Sequence, residues 1–165
     1  HSEIGFKVKH MMFTNVSGKF DQYDGTIETQ ENDFTTAVIS FSALIDSIDT
    51  RNKDRDNHLK SVDFFDAENY PKLTFAGKSF SKIDENNYEL IGDLSIKNAT
   101  KEVKLPVEFS GLMQDPWGNT KVGLNIEGKI NRKDWGLNWS SALETGGVLV
   151  GEEVKLTIDL QLVKS

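Results

Sequence analysis

Apolar and polar residues alternate with a period of two along nearly the whole chain, which is the pattern of strands buried on one face and wet on the other. Ile4, Phe6 and Val8 share one side of the first run, and Lys7 and Lys9 take the other. The same spacing groups Ala37, Ile39, Phe41, Ala43 and Ile45, then Tyr88, Leu90, Gly92, Leu94 and Ile96. Val103, Leu105, Val107 and Phe109 form a further inward row, as do Val122, Leu124 and Ile126. In the last run Val154, Leu156, Ile158, Leu160 and Leu162 alternate with Lys155, Thr157, Asp159 and Gln161.

Turn chemistry separates these rows: Asp24 with Gly25, residues 31–33, residues 84–87, Lys97 with Asn98, residues 115–119 and Gly146 with Gly147. Many one-sided strands joined by short turns predict an all-β antiparallel barrel, with a two-sheet sandwich as the alternative that alternation does not separate. Glycines within the runs, such as Gly77, Gly92, Gly111 and Gly128, favour the barrel because they permit bulges and sharp corners.

The alternation breaks twice. Residues 47–71 are charged and helix-like, with Ser47 or Asp49 as a cap, a helix starting near Asn52 and Pro71 as its latest end. This insert carries Arg55, Asp56, His58 and Leu59 just before Phe64 and Phe65, so charge and apolar surface meet where a cavity mouth would be closed. The second break, residues 135–150, holds Trp135, Leu137, Trp139 and Leu143 and then a glycine-broken apolar loop. Both segments are placed to cover barrel openings.

Composition narrows the function classes. The 165 residues predict one domain over 1–165, and no run approaches the ~18 apolar residues of a membrane-spanning helix. A net charge of -7 opposes binding to nucleic acid or to anionic lipid surfaces. The absence of cysteine excludes disulfides, zinc-thiolate sites and cysteine nucleophiles, and leaves the compartment open. His1, His10 and His58 lack metal-ligand spacing, residues 146–151 lack the Lys-Ser/Thr of a phosphate loop, and no Gly-x-Ser-x-Gly elbow is present. Neither a metal nor a cofactor is expected.

Several blocks in fixed order give the chain a resemblance. They are His1-Ser2 with Ile4-Gly5-Phe6, Arg55-Asp56-Asn57-His58-Leu59, Asp63-Phe64-Phe65-Asp66, Tyr70-Pro71, Gly92-Asp93-Leu94, Arg132-Lys133-Asp134-Trp135-Gly136 and Gly151-Glu152-Glu153. Together they resemble the YceI-like family of polyisoprenoid-binding proteins across the whole chain. The resemblance implies an extended lipocalin-like barrel without known catalysis, with a long isoprenoid tail, of polyprenyl phosphate or quinone type, held inside for carriage or storage. Family members carry a further strand before the His-Ser pair, and the chain starting on that pair predicts either trimming or an uncovered edge that invites a homodimer. A removed leader would place the protein in a bacterial periplasm or envelope, and otherwise in the cytoplasm.

On that reading the tail meets the inward residues Phe6, Val8, Ile39, Phe41, Leu73, Phe75, Leu94, Ile96, Phe109, Leu124 and Ile126, with Phe64, Phe65 and Trp135 from the covering segments. A barrel of about eight strands holds a small ligand only where side chains do not fill it, so the competing expectation is that these residues pack on one another. Arg55 and His58, with Arg132 behind them, are the candidates for a head group at the rim. For Arg55 and Asp56 the structural alternative is an ion pair or cap that fixes the insert. An enzyme acting on an apolar substrate in the same pocket is the alternative function. No stable membrane insertion is expected.

Overall fold

The computed structural model describes residues 3–11, 14–30, 33–114, 116–118, 120–139 and 150–163. The alternating runs are strands: β1 (Glu3–His10), β2 (Thr14–Phe20), β3 (Tyr23–Gln30), β4 (Asp33–Leu44), a two-residue β5 (Ile48–Asp49), β6 (Lys72–Lys82), β7 (Asn87–Ile96), β8 (Ala99–Gln114), β9 (Thr120–Asn131) and β10 (Val150–Val163). Among the described residues they form a single antiparallel sheet in the order β3-β4-β6-β7-β8-β9-β10-β1-β2-β5, curled on itself as a half-barrel, with one α-helix, α1 (Lys53–Lys60). β10 joins the start of the chain to its end by pairing with β1 on one side and β9 on the other.

The ladder is interrupted at one seam. β3 and β5 stand at the ends of the strand order, and between β2 and β3 the chain turns at Asp21 and Gln22. The turn expected at Asp24 and Gly25 therefore lies a few residues earlier, and Gly25 sits within β3 opposite Phe41. At the seam Asp21 N–H donates to Ser47 O at 3.0 Å and Leu44 N–H to Gln22 O at 2.9 Å. Of the other expected turns, residues 84–87 and 97–98 join paired strands, whereas Gly146, Gly147 and Leu143 lie outside the described residues.

Bulges reset the inward face where the sequence departs from strict alternation. On β6, Leu73 and Phe75 point inward, and one extra residue between Gly77 and Ser79 then turns the even-numbered Phe80 inward. Lys78 at this bulge turns out to solvent, 3.1 Å from Asp93 and 3.2 Å from Glu102. The two carboxylates raise its pKa, chiefly through their hydrogen bonds. A second shift lies between Phe109 and Leu112, around the predicted Gly111.

The helical insert is shorter than its charged sequence suggested. Its cap is Asn52, whose side chain accepts from Arg55 N–H at 3.0 Å, in place of Ser47 or Asp49. Ser61 ends the helix with its N–H on His58 O, ten residues before Pro71.

Candidate functional site

The interior of the barrel divides into a filled part and a hollow one. In the filled part Phe80 stacks on Tyr88 with centroids 4.5 Å apart, and Tyr88 meets Phe109 edge-on at 5.7 Å. Ile39, Leu90, Val107, Leu124 and Ile126 are all buried around them. Ile39, Phe109, Leu124 and Ile126 thus face inward as alternation requires, yet they pack on one another and do not line the cavity. Bulky side chains from the inner face of facing strands meet there and use up the space.

The hollow part holds a cavity of about 520 Å³, within the ~300–1,000 Å³ usual for small-molecule sites. Phe6 and Val8 of β1, Leu73 and Phe75 of β6, and Leu94 and Ile96 of β7 line it, as does Phe41 of β4. The insert adds Phe64 and Phe65, together with Leu59. An aromatic wall runs from Phe6 to Phe20 at 5.8 Å and from Phe20 to Phe65 at 6.2 Å. Gly18 makes that wall possible, because a Cβ there would overlap the Phe6 ring and come within 2.9 Å of Thr50. Trp135 is different: it is buried away from the cavity wall, with its indole N–H donating to Leu94 O at 2.8 Å.

Polar groups reach the cavity from the insert and from the end of β9. Arg55 and Asp56 do not pair with each other. Both grip the buried Thr50: Arg55 Nε donates to its hydroxyl at 2.8 Å and Nη2 to its carbonyl at 2.7 Å, and Asp56 accepts from its N–H at 2.9 Å and from its hydroxyl at 2.5 Å. This interlock fixes the insert to β5. Arg55 also lines the cavity, and its Nη1 makes no hydrogen bond among the described residues.

His58 is held 2.9 Å from Asp63, with its ring edge-on to Phe64 at 5.1 Å and to Trp139 at 4.6 Å. Phe64 and Trp139 are themselves 5.4 Å apart, so three rings join the insert to the segment after β9. Trp139, expected only as part of a segment covering an opening, lines the cavity. Its only sequence signal was its place beside Trp135 and Leu137 in an apolar non-strand stretch. The cavity-lining Val154, Leu156 and Ile158 were legible as an inward row, but nothing in the pattern marked that row as wall of a void.

Arg132 is 4% exposed and caged by backbone carbonyls. It donates to Gly151 O at 2.8 Å, Trp139 O at 2.9 Å and Val150 O at 3.1 Å, and also to Leu137 O. Burial lowers its pKa, against the opposing charge of Glu152. The guanidinium therefore acts first as a clamp that ties residues 137–139 to the start of β10, while it borders the cavity.

A curled antiparallel sheet that keeps an apolar hollow between its strands, under a helical insert, is a lipocalin-type barrel. The YceI-like domain matches residues 1–162, and the chain belongs to the YceI-like family. It is 43% identical over 156 residues to a UPF0312 protein of Staphylococcus aureus strain MSSA476, covering 94% of this chain and 88% of that protein. The YceI protein of Campylobacter jejuni shares the fold with a TM-score of 0.83 and 30% identity over 96% of this chain and 91% of its own. A polyisoprenoid-binding domain from Saccharophagus degradans has a TM-score of 0.75 at 12% identity, covering 99% of this chain and 94% of that one, and shows likeness of fold.

Proposed function

We propose that the protein binds one long apolar lipid of isoprenoid type in the hollow part of the barrel and acts as its carrier or store. The observation that carries this reading is the apolar cavity itself, whose polar lining is mostly on the insert (Asn52, Asp54, Arg55 and His58), with His10 of β1 and Arg132 besides. A molecule with a greasy chain and one polar end matches that division. The tail lies against Phe6, Phe41, Phe75, Leu94 and Ile96, and the head lies near Arg55 and His58. The name of the Saccharophagus domain of like fold supports the same ligand class.

Burying a methylene from water is worth ~0.8 kcal/mol, which would give a long tail far more affinity than a carrier needs. The competing state is a bilayer, where apolar burial is already complete, so uptake depends on packing and on the head group. That balance suits reversible transfer. Three of the polar groups at the cavity already have structural work, His58 on Asp63, Arg55 on Thr50 and Arg132 on four carbonyls, which supports binding in preference to catalysis. The edge expected to be uncovered at the start of the chain is closed, because β1 pairs with both β10 and β2; pairing with a second copy is left to β3 at the end of the strand order, and a sedimentation measurement of mass reads it.

The test is organic extraction and native mass spectrometry of the purified protein, followed by transfer of a prenyl lipid between liposomes. A copurifying prenyl lipid that moves in proportion to protein is the expected result. No bound apolar lipid and no movement at any protein excess would sink the proposal.

A further inference from the structure

We infer that Phe41 and Phe75 form a floor that sets the length of the apolar chain the cavity accepts; this rests on the isoprenoid-binding reading and names a selectivity device within the same site. The two residues are direct cross-strand partners on β4 and β6, with rings stacked at 4.8 Å and 11°. The cavity ends at their level. Phe41 lines it, whereas Ile39, two residues back on the same face, does not; Leu105 lines it, whereas Val107 does not. Behind the rings Ile39 and Leu90 are each 1% exposed, so a chain arriving from the insert meets packed core.

Glycines hold the floor in place. Gly92 lies on the inward row of β7, and the Phe75 ring occupies the room a side chain there would take: a Cβ would overlap its Cζ and stand 2.6 Å from Ala76 O. Gly128 likewise leaves room for the Leu105 side chain. The rings are therefore backed by filled core and recessed by glycine, and the depth of the cavity depends on two side chains. An engineered void on the order of 150 Å³ admits benzene, so removing one ring makes room for about one five-carbon isoprene unit.

The experiment loads the purified protein with linear prenols of rising length, from geraniol through farnesol and geranylgeraniol to solanesol, and in parallel with straight-chain alcohols. Native mass spectrometry reads the longest chain retained. Phe75→Ala and the milder Phe41→Leu are expected to raise that limit by about one isoprene unit, while Gly92→Ala drives the Phe75 ring into the cavity and lowers it. Should Phe75→Ala or Gly92→Ala fail to fold, Phe75→Leu and Phe41→Leu still report the upward shift. Folded variants that retain chains with an unchanged limit in both series would overturn the floor, and so would a raised limit in Gly92→Ala. Wild-type protein that retains straight chains but no prenol would remove the isoprenoid reading and leave the floor to be judged on the straight series. Retention of neither by wild type would overturn both.

Discussion

Leu90 and Leu94 stand on the same face of the same strand, β7, both nearly out of contact with solvent, yet one is embedded in core and the other forms the wall of a cavity. The difference lies in what faces them. Around Leu90, Phe80 of the neighbouring β6 stacks on Tyr88 two residues along β7, and the layer closes. Around Leu94 the cavity is walled by Phe6 and Val8 of β1 and Leu156 of β10, and a hollow is left between. Burial therefore does not report function in a barrel; whether inward side chains reach one another does.

The sharpest way to break this comparison is to truncate on either side of it. Phe80→Ala should lose about 4 kcal/mol in urea unfolding, because it removes a stacked ring from close-packed core, whereas Ile96→Ala should lose about 2 kcal/mol, because its side chain already borders a void. Equal losses would mean that the two regions are not distinct. Replacing Arg132 by Met should cost about 3 kcal/mol, since four carbonyls lose a charged donor, and should detach residues 137–139 from the start of β10. Loss of lipid uptake at temperatures where the fold survives would be the accompanying sign.

Overpacking tests the same division from the other direction. Leu90→Trp should destabilise by about 3 kcal/mol with uptake judged only on the folded fraction, while Leu94→Trp should cost about 1 kcal/mol and abolish uptake. At Trp139 the expected effect is smaller: Trp139→Ala removes ring contacts worth about 1 kcal/mol and should speed lipid release, measured by exchange with liposomes.

The smallest effect is a pH dependence at the surface. The hydrogen bond and charge of Lys133, 2.8 Å away, hold the Glu152 carboxyl below its ordinary pKa. A lowered folded-state pKa contributes stability above the unfolded value and loses it as pH falls through the folded one. Lys133→Ala should therefore flatten the acid limb of the stability curve slightly, with neutral-pH uptake unchanged.

Much of the barrel was legible because strand burial is a local, period-two property. The inward rows of β1, β7 and β10 lie where alternation puts them. The covering insert was legible too, since its mixed charges cannot form a half-buried strand. The helix cap was misplaced because Ser47, Asp49 and Asn52 are all good caps, and only the Thr50 interlock with Arg55 and Asp56 selects the last. Ile39, Phe109, Leu124 and Ile126 could not be told apart from cavity-lining residues, because alternation encodes direction and not the distance to the opposite wall. Trp139 was hidden for a related reason: its partners His58 and Phe64 are about eighty residues away in sequence.

The seam between β2 and β3 carries a mechanical consequence. A barrel resists widening through its hydrogen-bonded hoops, and here the hoop is continuous from β3 through β4, β6, β7, β8, β9, β10 and β1 to β2. Where it is not laddered, the load falls on Asp21 N–H to Ser47 O, on Leu44 N–H to Gln22 O and on the two-residue pairing of β5 with β2. Those amides should be the first of the wall to exchange with deuterium, and their protection the first to rise when a chain fills the space beside Phe20. If the barrel widens on filling, it should do so along this one line while the rest of the circumference keeps its register.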